Sequence, residues 1–173
     1  MNSKNSAQES IRSTLEFRTP TVKDAGKIWE LVRDCRPLDL NSPYLYLMLC
    51  LHFPKTCLVA ENESGITGFV SAYHPPESPE ILFIWQIAVD EKARGQGVAK
   101  QLLRELFNEK RRGEIKYLNF TISPTNKASM KLFQSWAQEL ELEMKEINVL
   151  SQNLFPAVND HEEEVLYQIG PVY

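Results

Sequence analysis

The residues best placed to do chemistry in this 173-residue chain are Arg94-Gly95-Gln96-Gly97-Val98-Ala99-Lys100. Two glycines so close together let a backbone approach a ligand and turn several N–H groups the same way. A helix opening just after them adds partial positive charge. Such a loop cradles a pyrophosphate, with Arg94 and Lys100 as adjacent cations. Glycine content alone is matched equally well by a tight strand-to-helix turn that holds nothing. Other phosphate motifs fit badly. Gly95 to Lys100 is too short for GxxxxGK[ST], and Lys100 stands where GxGxxG needs its third glycine. Metal and thiol chemistry also fit poorly. Cys35, Cys50 and Cys57 have no CxxC spacing, and His52, His74 and His161 are scattered. The expectation is reduced, mostly buried thiols and no metal.

The loop needs elements to hold it. Ile81–Val89 is almost wholly apolar and β-rich, which predicts a central strand buried on both faces. The loop Asp90–Gln96 follows, then a helix from Gly97 to about Arg111, with Val98, Leu102, Leu103, Leu106 and Phe107 on one face. Tyr117–Ile122 reads as the next strand. Asn126–Glu139 reads as a helix with Met130, Leu132, Phe133, Trp136 and Ala137 as its apolar positions. Upstream, Leu15–Arg18 is a short strand, and Thr21 with Asp24 resembles a capping box for a helix to about Cys35. A second helix covers Pro43–Phe53. Thr56–Glu61 and Ile66–Tyr73 form a hairpin, and Glu143–Leu150 with Glu164–Ile169 close the chain. One mixed α/β sheet accommodates this order.

At its fixed positions the loop matches R/Q-x-x-G-x-G/A through Arg94, Gly97 and Ala99. It resembles the acetyl-CoA loop of the GCN5-related N-acetyltransferases (GNAT). One strand later, Asn126-Lys127-Ala128-Ser129-Met130-Lys131-Leu132-Phe133 resembles that superfamily's N-x-x-A/S-x-x-L-Y/F helix. The resemblance implies a single GNAT domain over 15–173, behind a flexible arm at 1–14. Its sheet would be mixed, mostly antiparallel, with about seven strands and about four flanking helices. It also implies acetyl-CoA as co-substrate. The pyrophosphate would lie on the N–H groups of Gly95, Gln96, Gly97, Val98 and Ala99. The pantetheine arm would pair with the strand at Ile87, Ala88 and Val89, and the Ile87 N–H would polarise the thioester carbonyl. Asn126, Ser129 and Phe133 would line the acyl end. Transfer in a ternary complex needs no cysteine nucleophile. Phe133 departs from the Tyr that protonates the leaving thiolate in many members, which closes that route to a general acid.

Four further segments resemble the L-2,4-diaminobutyrate acetyltransferases of ectoine synthesis. They are Leu38-Asp39-Leu40-Asn41-Ser42-Pro43-Tyr44-Leu45-Tyr46-Leu47, Phe83–Val89, Thr121–Asn126, and His161-Glu162-Glu163-Glu164 with Ile169-Gly170-Pro171. That substrate carries two amines and one carboxylate, a net cation at neutral pH. Asp39, Glu162 and Glu164 are candidate acceptors for the ammonium groups. Asn41, Asn126 and Tyr44 are candidate donors for the carboxylate. Trp85 offers a wall or an aromatic face for an ammonium. Plainer roles compete: Asp39 or Asn41 as a cap for the Pro43 helix, and Trp85 as core packing. An amine with pKa near 10 must lose a proton before it attacks, so a base is needed. Glu162, Glu164 and His161 are the choices, with Glu162 taken first. The product would be Nγ-acetyl-L-2,4-diaminobutyrate. Rival readings are an acetyltransferase for another polyamine or a protein amine, and a non-catalytic acyl-CoA sensor. The resemblance implies a homodimer, for which Trp136 and Phe155 offer apolar contact.

The remaining composition mainly excludes. Lys plus Arg number 19 against 23 Asp plus Glu, a net −4, which disfavours nucleic acid as a partner. The apolar runs Tyr44–Phe53 and Ile81–Val89 are about half of what a membrane helix needs. The first residues lack the apolar stretch of a signal peptide, so the expectation is a cytoplasmic protein. The charge is uneven. Asp90 to Lys116 holds 8 basic and 5 acidic residues, and Glu139 to Glu164 holds 8 acidic and 1 basic. The first stretch coincides with the anion cradle and the second with the expected cation site.

Overall fold

A computed structural model describes residues 15–35, 38–107, 115–156 and 161–172. The expected arm at 1–14 and the expected helix end near Arg111 lie outside the described residues. Seven strands and four helices follow one another among the described residues: β1 (Glu16–Arg18), α1 (Ala25–Asp34), α2 (Pro43–His52), β2 (Cys57–Asn62), β3 (Gly65–Tyr73), β4 (Ile81–Val89), α3 (Val98–Leu106), β5 (Tyr117–Ile122), α4 (Lys127–Glu139), β6 (Met144–Leu150) and β7 (Glu164–Ile169). They form one sheet in the order β1-β2-β3-β4-β5-β7-β6. Every neighbouring pair is antiparallel except β4 with β5.

Alternation along the strands sorts the core into two layers. Cys57, Val59 and Phe69 face α1 and α2, packing with Ile28, Val32, Tyr46 and Leu49. Leu58, Ala60, Val70 and Ala72 face α3 and α4, packing with Leu102, Leu103, Phe133 and Trp136. All three cysteines are buried as expected, and burial pushes the Cys50 thiol up to about 11. Trp136 is only 1% exposed, so it belongs to the core and cannot serve an intermolecular contact. The Thr21–Asp24 box forms as read: the Asp24 carboxylate accepts from the Thr21 N–H at 2.7 Å.

The centre of the sheet opens. β4 pairs with β5 only from Ile81 to Ile84, opposite Tyr117 to Phe120. Beyond that, Thr121 and Ile122 pair with β7 alone, and Gln86–Val89 have no strand partner on the β5 side. On the other side the register jumps from Ala72↔Ile84 to Ser71↔Gln86, leaving Trp85 as a bulge. The expectation that β4 is buried on both faces is therefore corrected. Trp85 is 47% exposed, because a bulge re-aims a side chain and a splayed strand gives up cover on one edge.

Candidate active site

The cofactor half of the site begins where β4 ends. Gly95 and Gly97 both adopt left-handed backbone, φ +74° and +81°, which glycine reaches without penalty. A Cβ at either would meet no atom within 4 Å, so the space over the loop is open. Gly97 stands at the N-terminus of α3, whose opening N–H groups, with the positive end of the helix, face outward for an anion. The unpaired edge of β4 leaves the backbone groups of Ile87 and the Val89 N–H open to an extended ligand arm, in the manner of an added strand, whereas Ala88 turns its own toward β3. Arg94 lies beside the loop with its Nε donating to the Val89 carbonyl at 3.2 Å, and Gln96 donates to the Lys92 carbonyl at 2.9 Å. Lys100 departs from expectation. Its ammonium donates to Ser135 Oγ at 2.6 Å and pairs with Glu139 at 3.2 Å, so it ties α3 to α4 and is not a free cation of the cradle.

Beside the splay lies a cleft of about 1030 Å³. The strand edge at Gln86 and Ile87 forms part of its floor, and Phe120, Ile122 and Phe133 form an apolar wall. Phe133 stacks face to face on Phe120, ring centroids 3.7 Å apart. Asn126 and Ser129 also line it, though the Asn126 Oδ1 is engaged by the Ser129 N–H at 3.0 Å as the cap of α4. Trp85 stands edge-on to Tyr73 as a wall of this cleft, which excludes the core-packing reading.

Among the described residues, the charged lining of the cleft is Asp39, His161, Glu162 and Glu164, with no lysine or arginine. Two widely separated segments bring these together. Asp39 comes from the loop before α2, and Ser42, not Asp39 or Asn41, caps that helix. His161, Glu162 and Glu164 come from the run into β7. Across 122 positions, His161 Nε2 lies 2.9 Å from Asp39 Oδ2, while its Nδ1 lies 2.7 Å from the Glu162 carbonyl oxygen. Both neighbours are acceptors, so the ring that satisfies both is the doubly protonated imidazolium. The Glu162 carbonyl first, and then Asp39, raise the His161 pKa above its ordinary value against some desolvation. A ring held between two acceptors in this way is poorly placed to take up a further proton, which argues against His161 as the base. Phe155 stacks on it at 4.0 Å.

The two carboxylates differ. Glu162 is exposed and accepts from the Thr125 hydroxyl at 2.9 Å. Glu164 is half-buried, and burial pushes its pKa up, with Thr121 and His161 pulling it partly back. Asn41 lines the cleft, whereas Tyr44 is 67% exposed and is absent from the lining. The sequence reading missed Tyr46, Gln86, Thr121 and Thr125. All four lay inside segments singled out for resemblance as a whole, and only the fold brings Thr121 and Thr125 against the acidic run into β7.

Comparison with known proteins agrees with this geometry. Residues 26–137 match the model of the acetyltransferase (GNAT) family. The L-2,4-diaminobutyric acid acetyltransferase of Halalkalibacterium halodurans is 41% identical over 165 residues, covering 95% of this chain and 86% of the relative. That of Marinococcus halophilus is 42% identical over 91% of both. The chain belongs to the diaminobutyrate acetyltransferase family. A solved member, from Paenibacillus lautus in complex with its substrate L-2,4-diaminobutyric acid and coenzyme A, superposes with a TM-score of 0.89. It is 40% identical, covering 93% of this chain and 97% of that one. The Escherichia coli ribosomal-protein-S18-alanine N-acetyltransferase, 13% identical with a TM-score of 0.71, shares the fold. Family membership makes the chain an acetyl-CoA-dependent N-acetyltransferase, and the sensor reading falls away.

Proposed function

We propose that this enzyme transfers the acetyl group of acetyl-CoA to the γ-amine of L-2,4-diaminobutyrate, giving the Nγ-acetyl product that is cyclised to ectoine. The observation that carries the substrate is the charge of the cleft: among the described residues its lining holds three carboxylates and one histidine, with no lysine or arginine. A diamine is attracted there, and an acidic or phosphorylated acceptor is repelled. Asp39 and Glu162 receive the ammonium that does not react, Trp85 walls it, and Asn41, Thr121 and Asn126 offer donors to the substrate carboxylate.

Glu164 replaces Glu162 as the base. It lines the cleft half-buried, and that burial raises its pKa toward what a general base needs. It takes the proton from the γ-ammonium, and the freed amine attacks the thioester carbonyl. The Ile87 N–H, on the unpaired edge of β4, stabilises the oxyanion. Collapse expels the CoA thiolate beside Phe133, and the second proton on the attacking nitrogen passes to water or to the departing thiolate. No phenol stands there, and a thiol pKa near roughly 8.5 lets the thiolate leave without one. We place the reaction in the cytoplasm, where acetyl-CoA is made and thiols stay reduced. Two copies would associate through the exposed face of α2, where Tyr44, Leu47 and Leu51 lie at helical spacing. Light scattering should then give twice 19.9 kDa.

A substrate panel tests the assignment. CoA thiol release should be at least about a hundredfold more efficient with diaminobutyrate than with spermidine or lysine. Similar efficiency with all three would refute it.

A further inference from the structure

Asp39 is carried by the loop before α2, and its side chain is 78% exposed, so packing does not hold it. Its place is set from behind. Gln86 Nε2 donates to the Asp39 backbone carbonyl at 2.9 Å, and Gln86 Oε1 accepts from the Tyr46 hydroxyl at 3.0 Å. Tyr46 is fully buried, its ring edge-on to Phe69 at 6.4 Å in the core beneath α2. A phenol that donates to the amide oxygen fixes which end of the amide faces Asp39, since only the NH₂ end can donate to a carbonyl. Gln86 stands beside Ile87 on β4. The amide thus ties the loop that bears the ammonium acceptor to the strand that would bear the thioester.

We infer that Gln86 and Tyr46 are positioning residues, which set the distance between the Asp39 carboxylate and the acyl-transfer centre. This rests on the proposed diaminobutyrate site. Tyr46 reaches the cleft only through Gln86, and both are inferred to act on the amine by placing Asp39, so their loss should weaken amine binding and leave acetyl-CoA binding alone. Losing one such hydrogen bond is worth about threefold to tenfold.

The test uses the full chain with Tyr46→Phe and Gln86→Leu, each alone and combined with Asp39→Ala, under steady-state kinetics with both substrates. In either single variant, KM for diaminobutyrate should rise about threefold to tenfold, with KM for acetyl-CoA within about twofold of the parent. In the Asp39→Ala background neither substitution should raise KM for diaminobutyrate further, because they act through Asp39. An added effect in that background, or an equal rise in both KM values, would overturn the inference in favour of a purely structural role. Gln86→Leu carries the test if Tyr46→Phe does not fold. Failure of the parent enzyme to acetylate diaminobutyrate would instead refute the underlying site assignment. Normal parent turnover with unchanged variants would refute only the positioning roles.

Discussion

At Gly97 the backbone is left-handed and the space above it is empty of protein, so the cost of any side chain falls on the ligand as well as the loop. Gly97→Glu places a carboxylate where the pyrophosphate would sit, and calorimetry should detect no acetyl-CoA binding. Unchanged affinity would refute the cradle. The two carboxylates separate by a similar comparison. Glu164→Gln should lower kcat by about 10²–10⁴-fold and remove the acid limb of the pH profile, whereas Glu162→Gln should act mainly on KM. The wild-type acid limb should lie above the ordinary carboxylate value, because burial raises Glu164 and the base must be ionised to work. The motifs around the cofactor loop were legible because consecutive residues make that site. Lys100 was misread because its partners, Ser135 and Glu139, lie 35 and 39 positions on.

The elements meet through a few long-range ties. His161 and Asp39 join the run into β7 to the loop before α2. Because the folded His161 pKa is raised, the clasp is complete below the ordinary histidine value and weakens as pH rises through the raised one. Its neighbours are Asp39, the Glu162 carbonyl, the Glu164 carboxylate and the Phe155 ring. Proton NMR of the imidazole should show Asp39→Asn lowering the His161 pKa only part-way, since the Glu162 carbonyl contributes most. A second tie holds β1. Arg18 donates to Asp24 at 2.8 and 3.0 Å and to Glu61 at 2.7 Å. The Arg18 guanidinium holds the Asp24 carboxyl well below the usual range, so this stability is present at neutral pH and lost as pH falls through the depressed value. Asp24→Asn should cost about 1.5–3 kcal/mol in urea unfolding at pH 7, with the gap to wild type closing in acid. Spacing revealed the strands and helices themselves. The bulge at Trp85 and the splay of β4 from β5 were not legible, because an unbroken apolar run hides which edge loses its partner.

Across the whole molecule, the charge asymmetry of the chain is only partly a matter of ligands. Lys100 and Arg104 from the basic stretch pair with Glu139 from the acidic one, which joins α3 to α4. What remains for the site is the backbone cradle at one end and Asp39, Glu162 and Glu164 at the other, with the open edge of β4 between them. The cofactor and the amine would therefore approach the acyl centre from opposite sides of the sheet's central gap, as direct transfer needs. The most direct test is the structure of the product. Diaminobutyrate and acetyl-CoA incubated with the enzyme should yield one product, with heteronuclear NMR placing the new acetyl group on the γ-nitrogen. An acetyl group on the α-nitrogen, or no acetylated diaminobutyrate at all, would contradict the account.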